Sequence, residues 1–102
     1  LLALFVTTGT LSAGNWYQIV GTYSTSAGMK IYVNGSLINT TTGISGTGVT
    51  NNASNTLVLG GDPRYSFRRL TGNISTSNIY NSALTATQVS QNFDARRTRY
   101  NL

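Results

Sequence analysis

Residues 29–41 read Met29-Lys30-Ile31-Tyr32-Val33-Asn34-Gly35-Ser36-Leu37-Ile38-Asn39-Thr40-Thr41. Two runs rich in β-branched and aromatic side chains flank Asn34-Gly35. A two-residue type I′ turn needs positive φ at both central positions, which Asn and Gly tolerate best. The pair therefore predicts a β-hairpin, with Met29–Val33 as one strand and Ser36–Thr41 as its return.

Upstream of this hairpin, Ser24-Thr25-Ser26-Ala27-Gly28 is a polar turn, and Asn15 to Tyr23 alternates. Trp16, Gln18, Val20 and Thr22 fall on one face, Tyr17, Ile19, Gly21 and Tyr23 on the other. Large apolar groups on both faces predict a strand inside a sheet. Leu2 to Thr8 reads as a further buried strand. Downstream, residues 42–55 form a Gly/Thr/Ser/Asn loop with a short strand around Val49. Thr56-Leu57-Val58-Leu59 predicts a strand stopped by Gly60-Gly61-Asp62-Pro63, and Arg64-Tyr65-Ser66-Phe67-Arg68-Arg69 a basic-aromatic loop. Leu70 to Tyr80 predicts a long strand with a bulge at Gly72.

The C-terminal stretch changes character. Thr85-Ala86-Thr87-Gln88 is a capping box, Leu84 and Val89 are placed for a hydrophobic staple, and Val89 and Phe93 share a helical face. A short helix is expected from about 86 to 94–97. Arg96, Arg97 and Arg99 follow, where cations complement the negative end of the helix dipole. The fold class is thus all-β, five or six strands followed by a short C-terminal helix, and the resemblance drawn below makes it an antiparallel β-sandwich.

Composition removes several chemistries. The chain of 102 residues has no Cys and no His, seven Lys and Arg, two acidic residues and a net charge of +5. Thiolate chemistry, Ser-His-Asp and Cys-His catalysis fall away with the missing residues. Glycoside hydrolysis needs two carboxylates flanking the sugar, yet Asp62 and Asp94 lie in a loop and a helix and there is no Glu. No enzyme and no cofactor is expected. No apolar run reaches the roughly 20 residues that span a bilayer, so no membrane partner is expected either. The arginine-rich end carries no nucleic-acid-binding motif.

Three segments resemble laminin-G-like, concanavalin A-like domains. Asn15-Trp16-Tyr17-Gln18-Ile19-Val20-Gly21-Thr22-Tyr23 is similar to their Trp-containing strand, and Met29 to Gly35 to their lysine–apolar–Tyr–Val–Asn–Gly hairpin. Leu70-Thr71-Gly72-Asn73-Ile74, with Ile79-Tyr80-Asn81-Ser82-Ala83-Leu84-Thr85, resembles their closing strand and Tyr-Asn-x-Ala-Leu-Thr signature. The resemblance implies a jelly-roll sandwich of which residues 1–102 are the C-terminal part. Calcium-binding members use acidic loop residues, and many carry one after the Gly-x-Ile of the closing strand. Ser75 and Thr76 stand there, and Asp62 alone is a plausible ligand, so no metal site is expected.

Asp62, Arg64, Tyr65, Phe67 and Arg68 are the candidate binding residues. Together they offer an acceptor, bidentate donors and stacking rings, suited to a glycan or an acidic partner. The plainer reading, favoured by the usual behaviour of aromatic residues, has Tyr65 and Phe67 capping the core. The tail Gln91 to Tyr100 is similar to the ends of laminin-G-like domains in structural proteins of tailed bacterial viruses. That resemblance implies a virion structural protein, a capsid decoration or tail/fibre part, working in a homo-oligomeric assembly with other virion proteins or glycans. The alternative is a secreted or cell-surface bacterial carbohydrate-binding or adhesion module.

Overall fold

The computed structural model describes residues 8–42 and 56–102. The expected strand at Leu2 to Thr8 (Thr8 apart) and the short strand around Val49 lie outside the described residues. The chain divides into two compact units, one of residues 1–48 and 80–102, the other of residues 49–79. Strands in antiparallel sheets and one short C-terminal helix build it, so the all-β expectation holds.

In the first unit β1 (Ile19–Ser24), β2 (Gly28–Val33) and β3 (Ser36–Thr41) form an antiparallel meander in that order. Asn34 has φ 49° and Gly35 φ 80°, as the Asn-Gly turn demands. The Asn34 amide N–H donates to the Gln18 carbonyl at 2.9 Å, and the Gln18 N–H donates to Asn34 Oδ1 at 2.9 Å. A turn side chain thus adds one more rung to the β1–β2 ladder.

That rung also explains where β1 begins. The sequence predicted a strand from Asn15, but beyond Val33 the partner has already turned, and the ladder stops at Ile19 opposite Val33. The strand with a neighbour on each side is β2, not β1: among the described residues β1 pairs with β2 alone. Ile31, Tyr32 and Val33 of β2 are accordingly buried in succession, on both faces of the sheet. Ile31 pairs with Asn39 and Tyr32 with Leu37, so Ile38 is the extra residue of a β-bulge in β3.

The helix α1 (Ala86–Arg96) starts as its sequence predicts. Gln88 N–H donates to Thr85 Oγ1 at 3.2 Å, and Thr85 N–H donates to Gln88 Oε1 at 2.9 Å. Both members of the capping box are formed. Val89 is fully buried and Phe93 nearly so, and Leu84 before the cap is half-buried. Phe93 lies against the hairpin turn: a Cβ placed on Gly35 would come within 3.0 Å of Phe93 Cδ1. The helix is thereby seated on the one turn residue that has no side chain. One 3₁₀ turn (Arg97–Tyr100) follows, closed by Asn101 in the left-handed conformation.

In the second unit β4 (Gly61–Asp62) pairs antiparallel with β5 (Tyr65–Arg69). Residues 64–69, expected as a loop, are thus mostly strand. Two expected strands are absent from the described residues. Thr56–Leu59 is irregular and bends into Gly60, which has φ 76°. Leu70–Tyr80 is irregular too. Leu70 N–H donates to the Gly60 carbonyl at 2.7 Å, closing the hairpin. Past that bond the segment has no laddered partner strand among the described residues. No helix among the described residues is long and apolar enough to cross a membrane.

Candidate functional site

The hairpin of β4 and β5 brings all five candidate residues together. Asp62-Pro63-Arg64-Tyr65 supplies the turn: Pro63 presets φ, and Asp62 Oδ1 accepts from the Arg64 backbone N–H at 3.0 Å. The same carboxylate accepts two further bonds from the Arg64 side chain, Nε to Oδ1 and Nη2 to Oδ2, each 2.9 Å. This is a bidentate, charge-assisted pair built on a turn. Arg68 Nη1 stands 3.5 Å from Asp62 Oδ2. Hydrogen bonding from Arg64 holds the Asp62 carboxyl at a pKa of about 2, below the ordinary 3.8, with the Arg64 and Arg68 charges adding to it. The same bond raises the Arg64 pKa.

Register explains the rest of the geometry. Asp62 pairs with Tyr65 and Gly61 with Arg69, so Ser66, Phe67 and Arg68 stand opposite no β4 residue. They form an arc that bulges out of the ladder and brings Arg68 back over the Tyr65 ring, with its guanidinium 4.4 Å from the centroid. The Phe67 ring lies 5.5 Å from Tyr65 at 45°, and Arg68 is also 5.8 Å from its centroid. Arg64 sits 5.7 Å from the Tyr65 centroid.

Neither ring is buried. Tyr65 is 41% exposed and Phe67 77%. Asp62 differs from its sequence expectation. The sequence offers it as an acceptor, whereas its oxygens are engaged by Arg64, and it works as the anchor of the two arginines. The signal for that role was present as an Asp two residues before an Arg across a proline turn.

Of the C-terminal arginines, Arg97 is used internally. Arg97 Nε donates to the Leu102 carbonyl at 2.9 Å, its Nη1 lies 3.6 Å from Asp94 Oδ1, and its guanidinium is 5.0 Å from the Phe93 ring centroid. Arg97 thus ties Leu102 to the helix. Of the aromatic residues in segments 15–23 and 29–33, Tyr32 is buried, whereas Trp16 is 41% exposed and packs on Tyr100 at 5.4 Å. That pairing joins residues 84 positions apart in sequence, and no local pattern signalled it.

Among the described residues there is no group of three or more side chains of metal-ligating type. The arrangement offers donors, a cation over a ring and an exposed aromatic face, which are binding chemistry. Comparison with known proteins supplies the family. The profile described as Concanavalin A-like lectin/glucanases superfamily, a laminin-G model, matches residues 3–90. The chain belongs to this superfamily. No curated protein sequence matches the chain significantly.

One solved structure is similar to the chain in fold. The crystal structure of an S-layer domain-containing protein (residues 221–444) from Clostridium thermocellum ATCC 27405 is similar at a TM-score of 0.53 and 22% identity. The match covers 86% of this chain and 44% of that one, so this concanavalin A-like chain spans less than half of that structure's length. The laminin-G-like resemblance of the three motifs, and the sandwich class it implied, are therefore correct.

Proposed function

We propose that the chain is a non-catalytic carbohydrate-binding or adhesion module acting at a bacterial cell surface or outside the cell. The observation that carries this reading is the exposed arginine-aromatic hairpin in a chain of a lectin-type superfamily. Rings of this kind stack on the apolar faces of sugars, and guanidinium groups supply planar donors beside them. The S-layer description of the structural neighbour supports the surface setting. A virion structural role draws on the tail Gln91 to Tyr100, which lies past the end of the family match at residue 90, so the surface module is preferred.

The absence of catalysis is part of the proposal and has a chemical argument. A carboxyl with a pKa of about 2 is ionised at neutral pH and holds no proton to give to a leaving group. Asp94 is exposed on the helix beside Arg97. Neither is set up as the acid of a glycosidase pair.

A glycan array probed with the full chain tests the reading. The expected result is at least one saturable hit that is lost in the Arg64→Ala/Tyr65→Ala double variant. An array without hits, or hits unchanged in that variant, would remove the hairpin as the binding site.

A further inference from the structure

What the hairpin turns outward is not balanced in charge. Residues 61–69 contain Arg64, Arg68 and Arg69 against Asp62 alone. The carboxylate is spent on Arg64, accepting three hydrogen bonds from it, one from the backbone and two from the side chain. Arg68 is in a different position. Its 3.5 Å approach to Asp62 is longer than a full charge-assisted hydrogen bond, and its side chain is 44% exposed. Its guanidinium nevertheless lies over the Tyr65 ring, 4.4 Å from the centroid. A planar donor group is thus placed against a ring before any ligand arrives, and a contact that restrains it lowers the entropy cost of binding. Phe67, 77% exposed, adds an open ring within 5.8 Å of that guanidinium.

We infer that this hairpin selects carbohydrates that carry an anionic group, the carboxylate or sulfate bound by Arg68 while a sugar ring lies against Phe67. The inference rests on the glycan-binding reading above and names its ligand class. A carboxylate or a sulfate ester presents two oxygens that match the guanidinium fork, which a neutral sugar hydroxyl does not. The surplus of positive charge over the whole chain, +5, favours the approach of such a polymer.

The test is titration of the full chain with polygalacturonate, dextran sulfate, uncharged dextran and poly-glutamate. At low salt, polygalacturonate, dextran sulfate or both should bind at least about tenfold tighter than dextran and poly-glutamate, as one charge-assisted pair in addition to stacking implies. Which of the two anionic polymers binds identifies carboxylate or sulfate as the recognised group. Arg68→Gln should lose about tenfold of that affinity, with Arg68→Lys retaining part of it as a point charge without the fork. An unchanged thermal midpoint in both variants shows that the hairpin is intact, and Phe67→Ala gives a second variant that leaves the Asp62–Arg64 clamp alone. Dextran binding as tightly as the anionic polymers would overturn the inference while leaving the glycan-binding reading in place. No sugar binding at all would overturn both. Equal binding of poly-glutamate, or affinity unaltered by both Arg68→Gln and Phe67→Ala, would overturn the assignment of an acidic-sugar site to this hairpin.

Discussion

At Gly35 two demands meet in one position. The Asn-Gly turn requires its φ of 80° beside the positive φ of Asn34, and the Phe93 ring occupies the space of a side chain. Gly35→Ala should therefore destabilise by roughly 1–3 kcal/mol, combining left-handed strain and crowding. Asn34→Gly keeps the turn geometry and loses the bond to Gln18, for about 1 kcal/mol. Urea denaturation compares them, and a Gly35→Ala variant as stable as the parent would show that Phe93 does not pack as described. Asp62 gives a test in pH. Its pKa is lowered in the folded hairpin to about 2, so its contribution to stability is present above about 4 and is lost as pH falls through about 2. Carboxyl NMR should show its midpoint near the lower value, and Arg64→Ala should return it towards 3.8. The five site residues were legible in the sequence as a cluster of rings and cations. The role of Asp62 is signalled only by the Asp-Pro-Arg spacing, because a turn decides whether a carboxylate faces a ligand or its own neighbour.

Elements defined by local rules were the ones the sequence disclosed. The Asn-Gly hairpin and the capped helix are marked by local signals, since turn φ values and the Thr85–Gln88 box are set within four positions. Strands that need a partner were less legible. Leu70–Tyr80 has an apolar pattern but no ladder among the described residues, and β1 begins at Ile19 because its partner has turned. The helix makes this contrast measurable. Thr85→Ala removes one half of the capping box and should cost about 1 kcal/mol. Phe93→Ala removes a buried ring and should cost about 3 kcal/mol. Urea unfolding of the two variants should therefore place Phe93→Ala well below Thr85→Ala. The reverse order would mean that α1 is held by its cap rather than by its seat on Gly35.

For the molecule as a whole, carboxylates set the limit on what it can hold. The chain has two acidic residues, and both face arginines: Asp62 is bonded to Arg64, and Asp94 lies 3.6 Å from Arg97. A calcium ion takes six to eight oxygen ligands and draws its affinity from several carboxylates held at one point. To recruit Asp62, the ion would have to displace a bidentate guanidinium that already holds the carboxyl at a pKa of about 2. Arg68 nearby would then repel it, since the cation would stand where the 3.5 Å ion pair now lies. A ligand that binds the folded chain raises its melting temperature in proportion to the logarithm of its concentration over Kd. Millimolar calcium should therefore leave the melting temperature of the full chain unchanged, and a chelator should neither destabilise it nor weaken glycan binding. A calcium-dependent rise in melting temperature, abolished by Asp62→Asn, would mean that the arginine clamp opens to admit the ion, and sugar recognition here would have to be rebuilt around a metal.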